Sequence, residues 1–135
     1  MQVGSSATLD ALCDRLMRST AARKVMVCTL DGSVVAHAGG LQVLSGSLVA
    51  ELAELAADVL IETQQASHLA IPVEDRFGHA GPLQVCAAPL GHQALLLVLF
   101  PESIDVSQVR VRVRRARPQM LRILNGSSHS SPVLS

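Results

Sequence analysis

The stretch KVMVCTLDGSVVAHAG, residues 24–39, decides how the chain is read. Residues 24–30 form an apolar run rich in β-branched side chains, and Ser33, Val34, Val35, Ala36 and His37 resume the extended pattern after a break. That break is Asp31-Gly32, a pair that tolerates the positive φ of a tight hairpin turn. Two antiparallel strands joined by a short turn follow from this pattern. Gly39-Gly40 then ends the second strand.

On the N-terminal side, Leu9, Leu12, Cys13, Leu16 and Met17 recur at helical spacing, with Asp10, Asp14, Arg15 and Arg18 opposite. A first amphipathic helix is expected there, preceded by a flexible lead over residues 1–7. On the C-terminal side, Ser45 or Ser47 can cap a long helix that runs to about Gln65. Residues 68–73 read as a third strand, and Pro72, which has no amide to donate to a ladder, argues for a sheet edge or a strand end. Residues 74–82 carry charges, two glycines and a proline and read as a loop in which Glu74 and Asp75 are solvated. Residues 83–90 and 93–100 flank Gly91-His92 as a second hairpin, closed by Pro101.

The last segment fits two periods. Val109, Val111 and Val113 alternate with arginines as in a strand, but Val106, Val109, Val113, Ala116, Met120, Ile123 and Leu124 keep helical spacing throughout. A helix starting at Ser103 or Asp105 is the reading adopted, kinked or shortened by Pro118 and ended by Asn125-Gly126. Residues 125–135 form a Ser-rich tail expected to be disordered. The expected fold is therefore α/β in the α+β sense: one domain over residues 8–124, with an antiparallel sheet flanked by helices.

Composition narrows the function classes. Of 135 residues 49% are apolar, yet only Phe77 and Phe100 are aromatic, so aliphatic packing must build the core and no platform exists for stacking bases. Lys plus Arg equals Asp plus Glu at 11 each, which removes any overall field toward a polyanion. Nucleic acid is not an expected partner. The longest apolar run, residues 94–100, is far short of a membrane span, and the N-terminus carries no leader pattern, so a cytoplasmic location is expected. Cys13, Cys28 and Cys86 form no CxxC pair and read as small buried hydrophobes. His37, His68, His79, His92 and His129 are scattered without metal-ligand spacing, and no phosphate-cradling or nucleophile motif occurs. Neither an enzyme nor a bound cofactor or metal is expected.

The long second helix holds the candidate site. Leu48, Leu52, Leu55, Ala56, Val59 and Leu60 form one arc, the stripe that lies on a sheet. Ala50, Ala53, Ala57 and Ile61 fill one flank, and Glu51, Glu54, Asp58 and Glu62 fill the other. Small side chains let helix axes approach closely, which suits contact with another subunit, although alanine is also common on bare helices as the best helix former. A second feature is the arginine cluster Arg110, Arg112, Arg114, Arg115, Arg117 and Arg122, more than half of the basic residues. It reads either as a docking face for an acidic partner or anionic membrane, or as a solvated helix face whose arginines pair with carboxylates such as Glu102 and Asp105.

Three stretches, DALCDRL at residues 10–16, KVMVCTLDGSVVAHAG at 24–39 and QALLLVLFPESIDVSQVRVRVRRA at 93–116, together with the element order, resemble the roadblock/LC7 family and most of all its bacterial gliding-motility branch. The resemblance spans about residues 9–124 and rests on apolar patterns around the DG turn. It implies a three-layer sandwich: a five-stranded antiparallel sheet with one long helix on one face and two helices on the other. It also implies a homodimer joined edge to edge through the third strand, with the second helices antiparallel. Ala50, Ala53, Ala57, Ile61, His68, Ala70 and Pro72 are then the expected dimer contacts. Family members are non-catalytic platforms for small Ras-like GTPases, and the motility branch stimulates hydrolysis by reordering the partner's own catalytic residues. On that reading Glu51, Glu54, Asp58 and Glu62 face the GTPase. That branch carries a longer C-terminal extension, absent after Leu124 here, so an adaptor for polarity or signalling proteins is the expected alternative, and a small-ligand sensor a more distant one.

Overall fold

The computed structural model describes residues 2–29, 33–40, 46–69, 74–91 and 94–129. The elements are α1 (Gln2–Thr20), β1 (Lys24–Thr29), β2 (Val34–Ala38), α2 (Gly46–Leu69), β3 (Arg76–Ala80), β4 (Leu83–Leu90), β5 (Ala94–Pro101) and α3 (Val106–His129). The strands make one antiparallel sheet in the order β2-β1-β5-β4-β3. β5, the longest apolar run, lies at its centre, where burial on both faces favours an uninterrupted hydrophobic sequence. Ala94, Leu96, Val98 and Phe100 pack on one side of it, and Leu95, Leu97 and Leu99 on the other. α1 lies over β1 and β2, α3 lies over β4 and against α1, and α2 alone takes the opposite face over β3 and β4. This is the expected three-layer arrangement.

Both hairpins form as read, although Asp31, Gly32 and His92 lie outside the described residues. Gly91 takes φ +63°, a conformation that suits a residue without a β-carbon. The stop after β2 has a packing cause as well. Gly39 takes φ +101°, and a β-carbon there would sit 2.4 Å from the Arg23 carbonyl oxygen. The close approach lets the buried Lys24 ammonium donate to the Gly39 carbonyl at 3.3 Å, while burial lowers the Lys24 pKa. α1 ends with Ala21 at φ 57° and the Ala22 amide reaching back to the Met17 carbonyl at 3.0 Å, which satisfies an orphan carbonyl of the last turn.

Three boundaries differ from expectation. The third strand falls elsewhere than expected: of residues 68–73, His68 and Leu69 belong to α2 and 70–73 lie outside the described residues, while β3 is Arg76–Ala80, inside the stretch read as a loop. An edge strand needs apolar side chains on one face only, so RFGHA lacked the signal that marks central strands. α1 begins at Gln2, within the lead expected to precede it. α3 runs unbroken through Pro118 and past Asn125-Gly126 to His129. Asp105 starts it as expected, its carboxylate accepting from the Ser107 amide at 3.1 Å.

Candidate protein-binding surface

α2 meets the sheet through the described part of the arc its spacing forecast, the Leu48 side chain lying outside the described ones. Leu52 and Val59 are buried and Leu55, Ala56 and Leu60 half-buried, against Met26, Val85, Ala87, Leu95, Leu97 and Leu99. Thr63 extends this stripe, its hydroxyl donating to the Val59 carbonyl at 2.7 Å so that it can be buried without an unpaired donor. The other described side chains of the helix are open to solvent in the single chain. Ala50, Ala53 and Ala57 are exposed, and Ile61, at 53% exposure, is one of three large hydrophobic side chains left bare among the described residues. Together they form an apolar ridge at i, i+3, i+7 and i+11.

Glu54, Asp58 and Glu62 are exposed on the neighbouring flank; Glu51 is in the same helix, with its side chain outside the described ones. The two flanks point different ways. Leu55 lies against Gly78 of β3, where an added β-carbon would be 3.4 Å from Leu55 Cδ2, and the Glu62 carboxylate pairs with the Arg76 guanidinium. The acidic flank is therefore turned toward β3, and the ridge away from it. Arg76 carried no signal in the sequence, because the segment around it read as a loop.

Among the described residues β3 is an edge strand, paired with β4 alone. The other edge is treated differently: the outward amide of His37 on β2 donates to the Asp10 carboxylate of α1 at 3.0 Å, which blunts that edge against pairing. Of the residues expected on the third strand, His68 lies in α2, and Ala70 and Pro72 lie outside the described residues.

The arginine cluster divides. Arg117 donates to Asp75 at 2.9 Å, and the Arg110 guanidinium stacks 5.0 Å over the Phe77 ring, so one side of α3 is fastened to β3. Asp75 is not solvated as expected; its side chain is 4% exposed, and its second oxygen is buried without a hydrogen bond among the described residues. Nor do Glu102 and Asp105 receive arginines: Glu102 lies 3.4 Å from His79, and Asp105 caps α3. The remaining arginines face solvent. Cys13 and Cys86 are buried, which pushes both thiols up to about 12, and burial also raises the half-buried Cys28. Thiols held protonated in this way are poor nucleophiles. Among the described residues no His, Cys, Asp and Glu cluster could hold a metal ion, and no helix is long and apolar enough to cross a membrane.

The backbone is similar to that of MglB from Myxococcus xanthus, with a TM-score of 0.72 and 21% identity over 90% of each chain. The gliding protein MglB of Thermus thermophilus gives a TM-score of 0.72 and 20% identity over 90% of this chain and 92% of that one. A roadblock/LC7 domain from Streptomyces avermitilis gives 0.66 and 17%, over 86% and 97%. No family model and no curated protein matches the chain. The fold is that of MglB and the roadblock/LC7 domains.

Proposed function

We propose that this chain is a non-catalytic, cytoplasmic homodimer that binds a small Ras-like GTPase and regulates it, in the setting of bacterial motility or polarity. The observation that carries the reading is the bare ridge of α2, set beside an acidic flank on a fold shared with MglB. An Ile and three alanines standing in water gain nothing for the single chain, whereas a second helix packed on them removes apolar area from solvent. Their small size permits the axes to come close. The ridge Ala50, Ala53, Ala57 and Ile61 is the proposed self-contact, and Glu51, Glu54, Asp58 and Glu62 the proposed rim that meets the GTPase. With the acidic flank on the β3 side, a ridge-to-ridge pair and a β3 edge-to-edge pair are two different dimers. His79→Pro, which removes a β3 amide, tests the second.

The reading calls for no catalytic group in this chain: binding that reorders the partner's residues is enough to change its rate. The test is single-turnover hydrolysis of GTP by a small Ras-like GTPase from the same organism, with and without the purified protein. Faster hydrolysis and co-elution of the two proteins are expected. Co-elution at an unchanged rate would make the chain an adaptor, and neither effect would remove the reading.

A further inference from the structure

The arginines not fastened to β3 have a place of their own. Arg112 and Arg115 of α3 and Arg15 of α1 line two adjoining open hollows of about 320 and 350 Å³ between these helices. Leu12, Leu16 and Ala116 supply the apolar part of the first hollow, and Val111, 47% exposed, the apolar part of the second. Among the described residues no carboxylate pairs with Arg15, Arg112 or Arg115, whereas Arg18, Arg76 and Arg117 each have one. Three unneutralised guanidinium groups around an apolar trough form a surface with one complement in charge and shape.

We propose that the α1–α3 groove is a docking site for an acidic, aliphatic segment of another protein. Carboxylates of the segment meet Arg15, Arg112 and Arg115, and its Leu, Ile or Val side chains enter the trough. A peptide is favoured over a membrane because the basic groups line a concave hollow that a flat lipid surface would span without filling. It is favoured over nucleic acid because no aromatic side chain lines either hollow. The groove lies across the sheet from α2, so it is independent of the function proposed above, and both sites can be occupied together.

The test is selection of random short peptides displayed on phage against the full chain, followed by binding of a selected peptide measured by fluorescence anisotropy. Selected sequences should be enriched in Asp and Glu beside Leu, Ile and Val. Arg112→Glu with Arg115→Glu should weaken binding by about tenfold or more, whereas Arg114→Glu with Arg122→Glu, outside both hollows, should leave it nearly intact. All four side chains are exposed, and a circular dichroism melt confirms that each variant is folded. If the glutamate pair fails to fold, Arg112→Gln with Arg115→Gln gives the same readout. Selection without acidic enrichment, or equal loss in both pairs of variants, would overturn the proposal. Binding to phosphatidylserine vesicles with no peptide selected would do so as well.

Discussion

The face of the sheet under α1 and α3 and the face under α2 are built from the same five strands but closed to different degrees. Under α1 and α3, side chains from two helices interlock: Leu9, Leu12, Cys13 and Leu16 from one and Val109, Val113 and Met120 from the other meet Val25, Val27, Leu96, Val98 and Phe100. Phe77 closes the β3 end, edge-on to Phe100 with ring centroids 6.3 Å apart, and the Asp75–Arg117 pair anchors α3 beside it. The α2 face is covered by one helix placed over β3 and β4, and that helix keeps an apolar ridge outside. The sheet side of the first face is covered by two interlocking helices within one chain. The second has a layer whose outer surface still has area to bury, which is why the functional reading is attached to α2.

Substitutions can break this contrast. Phe100→Ala, in the closed face, empties a fully buried site and should cost about 3–5 kcal/mol in urea unfolding. Arg117→Ala leaves the buried Asp75 carboxylate without its partner, and a loss of about 2–3 kcal/mol is expected by the same measurement. Asp75→Ala added to it should recover part of that loss, and failure to do so would mean that the pair does not hold α3 in place. The smallest effect is that of alkaline pH. Cys13 and Cys86, both of the closed face, stay protonated in the folded chain up to about 12, whereas the unfolded chain loses these protons from about pH 9. Their contribution is fully present below that pH and falls as pH rises, by about 1 kcal/mol per thiol near pH 10. The lowered pKa of Lys24 acts with the opposite sign, so the thiol effect is read as the difference between wild type and Cys13→Ala with Cys86→Ala.

Periodicity made much of this architecture legible. The β1–β2 hairpin and the central β5 run announce themselves through long apolar stretches around turn residues, and the α2 stripe through helical spacing. β3 escaped because RFGHA is an edge strand with one large apolar side chain, and because the stretch QQASH before it is as compatible with helix as with loop, so α2 ran on. The misplaced strand hid what depends on it. Asp75, Arg76 and Phe77 are the groups that engage Arg117, Glu62 and Arg110, and no spacing in the sequence couples segments so far apart. The division of the arginines into a fastened and a free set is therefore a tertiary fact. The ridge of α2 could be read as a pattern, but its exposure came only with the sheet beneath the opposite side of the helix.

The claim that the α2 ridge is a self-contact is tested most directly by sedimentation equilibrium of the wild-type chain and of Ala57→Arg at matched concentration. Ala57 is exposed in the single chain, so arginine there leaves the subunit intact, while in a ridge-to-ridge dimer a guanidinium would be buried without a counter-charge at a cost of several kcal/mol. The account predicts a dimer for the wild type and a folded monomer for the variant. A monomeric wild type, or a variant that still sediments as a dimer, would contradict it.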